Sequence, residues 1–415
     1  MSHDVKSLWI PDEPDCDIQT DVEASSRGCR PWCENATCQV ELLISEASNW
    51  KIRSRNQQGD SKQCGGDEFY VRYEEFACHD ADEELTCQAV ALIQDHDDGT
   101  YTLDFVSTPM HPLVPNDNVE DDAASRRVLT VYFEYTNAIG RLPPPTKNEW
   151  LNGGYTHRCF TRKLNAEIMV PRPPIRPFTV PNCAIDLASF DRVLAFGDST
   201  MDQFVRQRPN KKGKYYFQPN ILVGEKIRQA MNSETLESML ESLENEFGAL
   251  MRRYSTEGRS VCLVLGSCLW DILDSNDKLQ GALYKDHIAA CREFLLRVRE
   301  TYSVTIVWKA PMAVHIHWVD LERLVEHDKA TATLFGLNRV RYMSASRSFY
   351  LYTCQKWLME DLNVPLLDIY EASYLSASEL YPADGRHYRP ALNRLMLSWF
   401  SPSFSKEDNY YQNVA

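Results

Sequence analysis

The stretch Val193-Leu194-Ala195-Phe196-Gly197-Asp198-Ser199-Thr200-Met201-Asp202-Gln203 breaks an apolar run at a glycine and sets a serine two residues later. A strand, a sharp turn and a helix start in that order would hold the Ser199 hydroxyl at the open end of a sheet, with backbone N–H groups facing the space before it. A serine so placed is a nucleophile if a histidine reaches it. Far downstream, Asp384-Gly385-Arg386-His387 offers one. An Asp and a His three residues apart on one turn can hydrogen-bond. The carboxylate would fix one imidazole nitrogen as a donor and leave the other to take the serine proton. Asp198 reads as a brace for the turn rather than an acid or base.

These groups need a sheet beneath them, and the chain from Asp186 supplies the pattern. Arg192–Phe196, Ser260–Leu265, Val304–Trp308 and Val364–Ile369 read as strands. Glu234–Tyr254, Lys285–Tyr302, Ala345–Leu362 and Pro390–Phe400 read as helices. The last carries proline in its first turn, where a missing N–H costs nothing. This alternation implies a parallel sheet covered by helices on both faces, with ligands at the carboxyl ends of its strands.

Upstream the pattern differs. Phe69–Tyr73, Cys87–Ile93, Thr100–Phe105 and Arg127–Tyr135 are short, alternating and separated by polar turns, which predicts a β-sandwich. The expected division is a Cys-rich irregular segment at 1–39, the sandwich at 40–140, a Pro-rich connector at 141–185, the α/β domain at 186–405 and a tail at 406–415. The 415 residues carry a net charge of −15, which argues against nucleic acid or an anionic membrane as the main partner. No apolar run reaches the ~18 residues of a transmembrane helix.

Of 13 cysteines, nine lie between Cys16 and Cys183. The cluster Cys29, Cys33, Cys38, Cys64, Cys78, Cys87, Cys159 and Cys183 sits in loop-rich sequence and reads as disulfide stapling. A zinc site is the weaker alternative, because close Cys-x-x-Cys pairs are absent. Cys262, Cys268, Cys291 and Cys354 lie in apolar or helical settings and read as reduced core residues. With the sequon Asn35-Ala36-Thr37 the cysteines point to the secretory pathway, the Golgi lumen or the extracellular space. The start, Met1 to Asp21, lacks a signal-peptide pattern and leaves the cytoplasm open.

The pairing of Gly197-Asp198-Ser199 with Asp384-Gly385-Arg386-His387, in this order and at these places, resembles the SGNH hydrolase superfamily and within it the PC-esterase group. Gly65-Gly66-Asp67-Glu68-Phe69-Tyr70-Val71-Arg72 and Asp95-His96-Asp97-Asp98-Gly99-Thr100-Tyr101 resemble a filamin-type immunoglobulin-like repeat. Together they are similar to the neurexophilin and PC-esterase domain family. Asn338 to Arg347 and Pro365 to Tyr370 add to the likeness. The resemblance implies an α/β three-layer SGNH-like domain preceded by an all-β immunoglobulin-like sandwich. It implies Ser199 as nucleophile, His387 as general base and Asp384 as the residue that orients it. The activity it implies is on O-acetyl groups of glycans. Water as acceptor gives an esterase; a sugar hydroxyl gives an O-acetyltransferase, which would need an acyl donor. No cofactor or metal is implied.

Two departures matter. The superfamily adds a glycine and an asparagine to the serine N–H as oxyanion donors. Here Gly224 and Gly266 are the matching candidates, and Gly266 or Ser267 stands where the asparagine is expected. Many PC-esterases carry an arginine three residues after the serine; this chain has Asp202, with Arg206 in reach to pair with it. An anion there should oppose charge on the oxyanion. Trp270, His315 and His317 are candidates for the substrate region. The rival reading is a catalytically silent secreted binding or signalling protein that uses its immunoglobulin-like domain.

Overall fold

The computed structural model describes residues 4–9, 39–44, 50–55, 58–63, 67–79, 82–96, 98–111, 125–134, 161–182, 185–205, 220–267, 269–273, 280–315, 345–381 and 385–401. They form two compact units, one built on residues up to Thr179 and one on residues from Val180.

The first unit is a single antiparallel sheet. Its strands are β1 (Asp4–Trp9), β2 (Gln39–Ile44), β3 (Trp50–Arg55), β4 (Glu68–His79), β5 (Asp82–Asp95), β6 (Thr100–Ser107), β7 (Ser125–Glu134), β8 (Thr161–Met169) and β9 (Ile175–Arg176). They pair in the order β1-β2-β3-β6-β5-β4-β7-β8, with β9 added in parallel to β6. β1 and β8, the two ends of the path, approach each other, so the sheet curls. Every second residue points inward: Val40, Leu42 and Ile44; Trp50 and Ile52; Phe69, Val71 and Tyr73; Tyr101, Leu103 and Phe105. Trp50 and Phe105 meet edge to face at 5.5 Å, as do Phe69 and Tyr101 at 5.0 Å, the arrangement ring quadrupoles favour.

This differs from a sandwich of two sheets. Alternation shows that one face is buried, but a curled sheet and one half of a sandwich bury a face with the same period. Two further differences concern segments expected to lack strands. β1 lies in the stretch expected to be irregular. β8 and β9 lie in the expected connector and pair with β7 and β6. The sequence of β8, Thr-Arg-Lys-Leu-Asn-Ala-Glu-Ile-Met, has the charge that suits an edge and hides its alternation. Cys87, expected among the stapled cysteines, is a buried free thiol on the inner face, and burial pushes it up. No disulfide is found among the described residues; the side chains of the other cysteines in that cluster lie outside them.

The second unit holds a parallel sheet of five strands in the order β11-β10-β12-β13-β14. These are β10 (Arg192–Phe196), β11 (Ile221–Val223), β12 (Val261–Leu265), β13 (Thr305–Lys309) and β14 (Leu366–Leu367). All five positions of β12 are buried, so both faces are covered. The helices are α1 (Ser199–Val205), α2 (Leu236–Leu243), α3 (Ala249–Thr256), α4 (Leu269–Leu273), α5 (Gln280–Thr301), α6 (Ala345–Asp361), α7 (Tyr370–Leu375) and α8 (Pro390–Trp399). A wider turn, Glu244–Gly248, joins α2 to α3. Met239, Leu243, Met251, Phe294, Leu295, Val298 and Leu358 from these helices pack on Leu194, Phe196, Leu263, Leu265, Ile306 and Trp308, the alternate residues of three strands. Each of these side chains contributes roughly 1.5–3 kcal/mol by leaving water. α1 lies against β10, and α8 packs on α1. No described helix is long and apolar enough to cross a membrane.

Candidate active site

β10 ends at Phe196 and α1 begins at Ser199, so only Gly197 and Asp198 make the turn. Gly197 has to be glycine. A Cβ there would lie 2.8 Å from the Gly266 carbonyl oxygen and 2.8 Å from Cβ of Met201. Asp198 braces the turn by capping the helix: its Oδ1 accepts the N–H of Thr200 at 2.8 Å and of Met201 at 3.4 Å, and the Thr200 hydroxyl at 2.6 Å. It therefore holds the first turn of α1 and leaves Ser199 at the entrance.

His387 comes to this turn from the other end of the unit. Its Nε2 lies 2.9 Å from the Ser199 hydroxyl oxygen, although 188 residues separate them. The segment that carries it is held on every side. Gly385 has φ +69°, in the left-handed region that favours glycine, and its carbonyl accepts the His315 N–H at 2.7 Å. The His387 carbonyl accepts the Tyr381 N–H at 2.9 Å. The buried Tyr388 hydroxyl lies 2.9 Å from the carbonyls of both Ala313 and Ser373. Asn393 Nδ2 donates to the Tyr388 carbonyl at 3.0 Å. With a proton on Nδ1, His387 Nε2 accepts from Ser199, the orientation a general base needs. Asp384 lies outside the described residues.

The sheet order puts β10 between β11 and β12, so the loops after those two strands flank the nucleophile turn. Both touch it: the Ile227 N–H donates to the Gly197 carbonyl at 2.9 Å, and Gly266 packs against Gly197. Of the expected oxyanion donors, the Gly224 N–H donates to the Ala195 carbonyl at 3.0 Å. It extends the β10–β11 ladder and is not available to an oxyanion. The Ser199 N–H belongs to the first turn of α1, and Gly266 packs against Gly197 and Met201.

The expected conflict at Asp202 is resolved by a residue the sequence did not suggest. Asp202 Oδ2 pairs with Lys226 Nζ at 2.9 Å, from the loop after β11. Arg206, the expected partner, lies outside the described residues. A second cation, Lys309 at the end of β13, is buried. Its Nζ lies 3.4 Å from the Thr200 hydroxyl, and so joins the Asp198 cap from below. Neither lysine belongs to a motif or a periodic face.

Of the residues expected around the substrate, Trp270 is partly exposed on α4. His315 is fully buried, with its ring against Tyr374 at 5.6 Å. Its backbone N–H, through the Gly385 carbonyl, holds the segment that carries His387. His317 lies outside the described residues. Among the later cysteines, Cys262, Cys291 and Cys354 are thiols, and Cys268 lies outside the described residues.

The chain is similar to solved esterases. One is an acetyl xylan esterase at 14% identity, covering 52% of this chain and 98% of that one, with a TM-score of 0.31. Another is an acetylxylan esterase from Geobacillus stearothermophilus at 16% identity, covering 51% of this chain and 92% of that one, with a TM-score of 0.30. No family model and no curated protein matches the chain.

Proposed function

We propose that this chain is an acyl-ester enzyme of the SGNH type that acts on O-acetyl groups of glycans. The observation that carries the reading is the 2.9 Å contact between the Ser199 hydroxyl and His387 Nε2, at the carboxyl end of a parallel sheet. Ser199 Oγ attacks the ester carbonyl while His387 takes its proton. The tetrahedral oxyanion is held by the Ser199 N–H and by a donor from the Gly266-Ser267 turn. Collapse expels the alcohol, which receives the proton from His387, and leaves an acetyl-serine. Water or a sugar hydroxyl, deprotonated by His387, then attacks that ester and frees Ser199. Asp384, by the PC-esterase resemblance, would hold the Nδ1 proton. The same resemblance supports glycans as the acetyl carriers; the cysteine usage and the Asn35-Ala36-Thr37 sequon support a secretory setting.

The test is turnover of an activated acetyl ester, and serine labelling by a fluorophosphonate, beside Ser199→Ala and His387→Ala. Labelling and turnover are expected in the parent chain alone. Neither above the variants would end the reading and favour the silent binding protein. Mass spectrometry of an acetylated glycan panel, with and without an acceptor sugar, separates hydrolysis from transfer.

A further inference from the structure

Between the two loops that flank the nucleophile turn lies a connected set of buried polar side chains. Asp271, His287, Gln355 and Ser267 are all buried. Gln355 is fully enclosed, and around the set lie Trp308, Met231 and Cys291 from the apolar layer. Burying such groups costs stability unless each finds a partner.

Each does, and the partners fix the orientation of every group. The Trp308 indole can only donate, and its N–H lies 2.9 Å from Gln355 Oε1. Gln355 Nε2 therefore faces the other way, to the Ser267 hydroxyl at 3.0 Å and to His287 Nε2 at 3.0 Å. His287 Nδ1 faces two oxygens, the Met231 carbonyl at 2.9 Å and Asp271 Oδ1 at 3.0 Å, so it carries the ring proton. Asp271 Oδ1 also accepts the Met231 N–H at 2.7 Å. The chain of bonds thus runs from Met231, in the loop after β11, through Asp271, His287 and Gln355 to Ser267, in the loop after β12. Those loops touch Gly197 from opposite sides, through Ile227 and Gly266.

We infer that Asp271, His287 and Gln355 form a buried brace that holds the loops after β11 and β12 at a fixed separation, and that these three are positioning residues for the oxyanion donors beside Ser199. The inference rests on the acyl-transfer reading for its effect on rate, but not for its effect on the loops. Displacing a donor by about 1 Å can cost a hundredfold in rate, and neither loop has a regular element of its own between its strand and Met231 or Ser267.

A second nucleophile is the competing explanation, because Cys291 Sγ lies 3.3 Å from His287 Nε2 and completes an Asp-His-Cys order. Three facts oppose it. Cys291 is fully buried. Burial pushes its thiol up, so it stays protonated. Cys291 Sγ also lies 3.2 Å from Met231 Sδ, and the Gln355 amide nitrogen, at 3.0 Å, is closer to His287 Nε2 than the thiol is.

The experiment uses the full chain with Gln355→Met, which keeps volume and removes both donors, and His287→Asn, which keeps a donor where Nδ1 stands. Hydrogen exchange is followed by mass spectrometry in the peptides spanning 224–232 and 265–271, and kcat and KM are measured on an activated acetyl ester. Gln355→Met, which removes the bonds to Ser267 and leaves those of Met231, is expected to speed exchange about tenfold in the second loop, with a smaller change in the first, while β10 keeps its protection. It should lower kcat by about 10–100-fold with KM within about twofold. His287→Asn should retain protection in the first loop and lose it in the second. Exchange unchanged in both loops would overturn the brace. So would faster exchange spread evenly over the unit, which marks simple destabilisation. If the parent chain turns over no ester, the acyl-transfer reading fails, while the exchange data still decide for or against the brace.

Discussion

The two units spend their buried polar groups differently. In the curled antiparallel sheet the core is a single apolar face. A buried ion pair there is Lys62 with Asp67 at 2.8 Å. In the parallel sheet the buried polar groups gather at one end. Asp198, Thr200, Asp202, Ser267, Asp271 and Lys309 all lie at or just past the carboxyl ends of β10, β12 and β13. An isolated buried pair satisfies itself and asks nothing of its neighbours. A convergent set links loops that share no sequence, at a cost to stability that only a requirement for exact placement offsets. The comparison teaches that the first unit is organised for burial and the second for positioning.

Five substitutions, in four tests, break or sharpen that contrast. The largest effect is expected at the dyad: Ser199→Ala should lower turnover at least about a thousandfold, with the unfolding midpoint unchanged. Retained turnover would remove the functional half of the comparison. Next, Trp50→Ala should empty the centre of the first core and destabilise that unit by about 3–5 kcal/mol in denaturant titration, while kcat stays at the parent value. A fall in kcat would show that the two units are not separable in this way.

Smaller and more specific is the ion pair beside the nucleophile. Lys226→Met leaves the Asp202 carboxylate near the oxyanion and should lower kcat by about tenfold; adding Asp202→Asn should restore most of it. Additive losses in the double variant would mean that the pair does not act through charge. The smallest effect lies on the outer surface of the second unit. There Arg252, and then the Tyr302 hydroxyl, hold the Glu244 carboxyl down to about 2. The folded value is below the unfolded one of 4.5, so the pair's contribution is present above that pH and fades as pH falls toward 2. Arg252→Gln should lower stability at neutral pH only slightly, because both groups are exposed, and that difference should vanish as pH falls toward 2.

The elements of the second unit were legible. Arg192–Phe196 is a strand with the expected ends, and the helices expected at Lys285–Tyr302 and Ala345–Leu362 are Gln280–Thr301 and Ala345–Asp361. Long periodic segments declare themselves, because burial on one side of a helix or both sides of a strand leaves a pattern within the segment. The strands β8 and β11 did not, being respectively charged and only three residues long. His287 and Cys291 lie four residues apart on the buried stripe of α5. A histidine in an apolar stripe was the available signal for the brace, but nothing in the pattern named its partners.

By itself, then, the sequence determined the strand, the turn at Gly197 and the capping Asp198 around Ser199, since these are local and follow from sterics and orphan helix amides. Only the tertiary structure decided what meets at that turn. It brought His387 to Ser199, supplied Lys226 to Asp202, committed the Gly224 N–H to the ladder, sealed His315 inside, and joined Met231 to Ser267 through Gln355. Each is a contact between segments far apart in the chain. Pairing of that kind depends on sheet order and on which face each element turns inward, and neither is written in the spacing of residues along one segment.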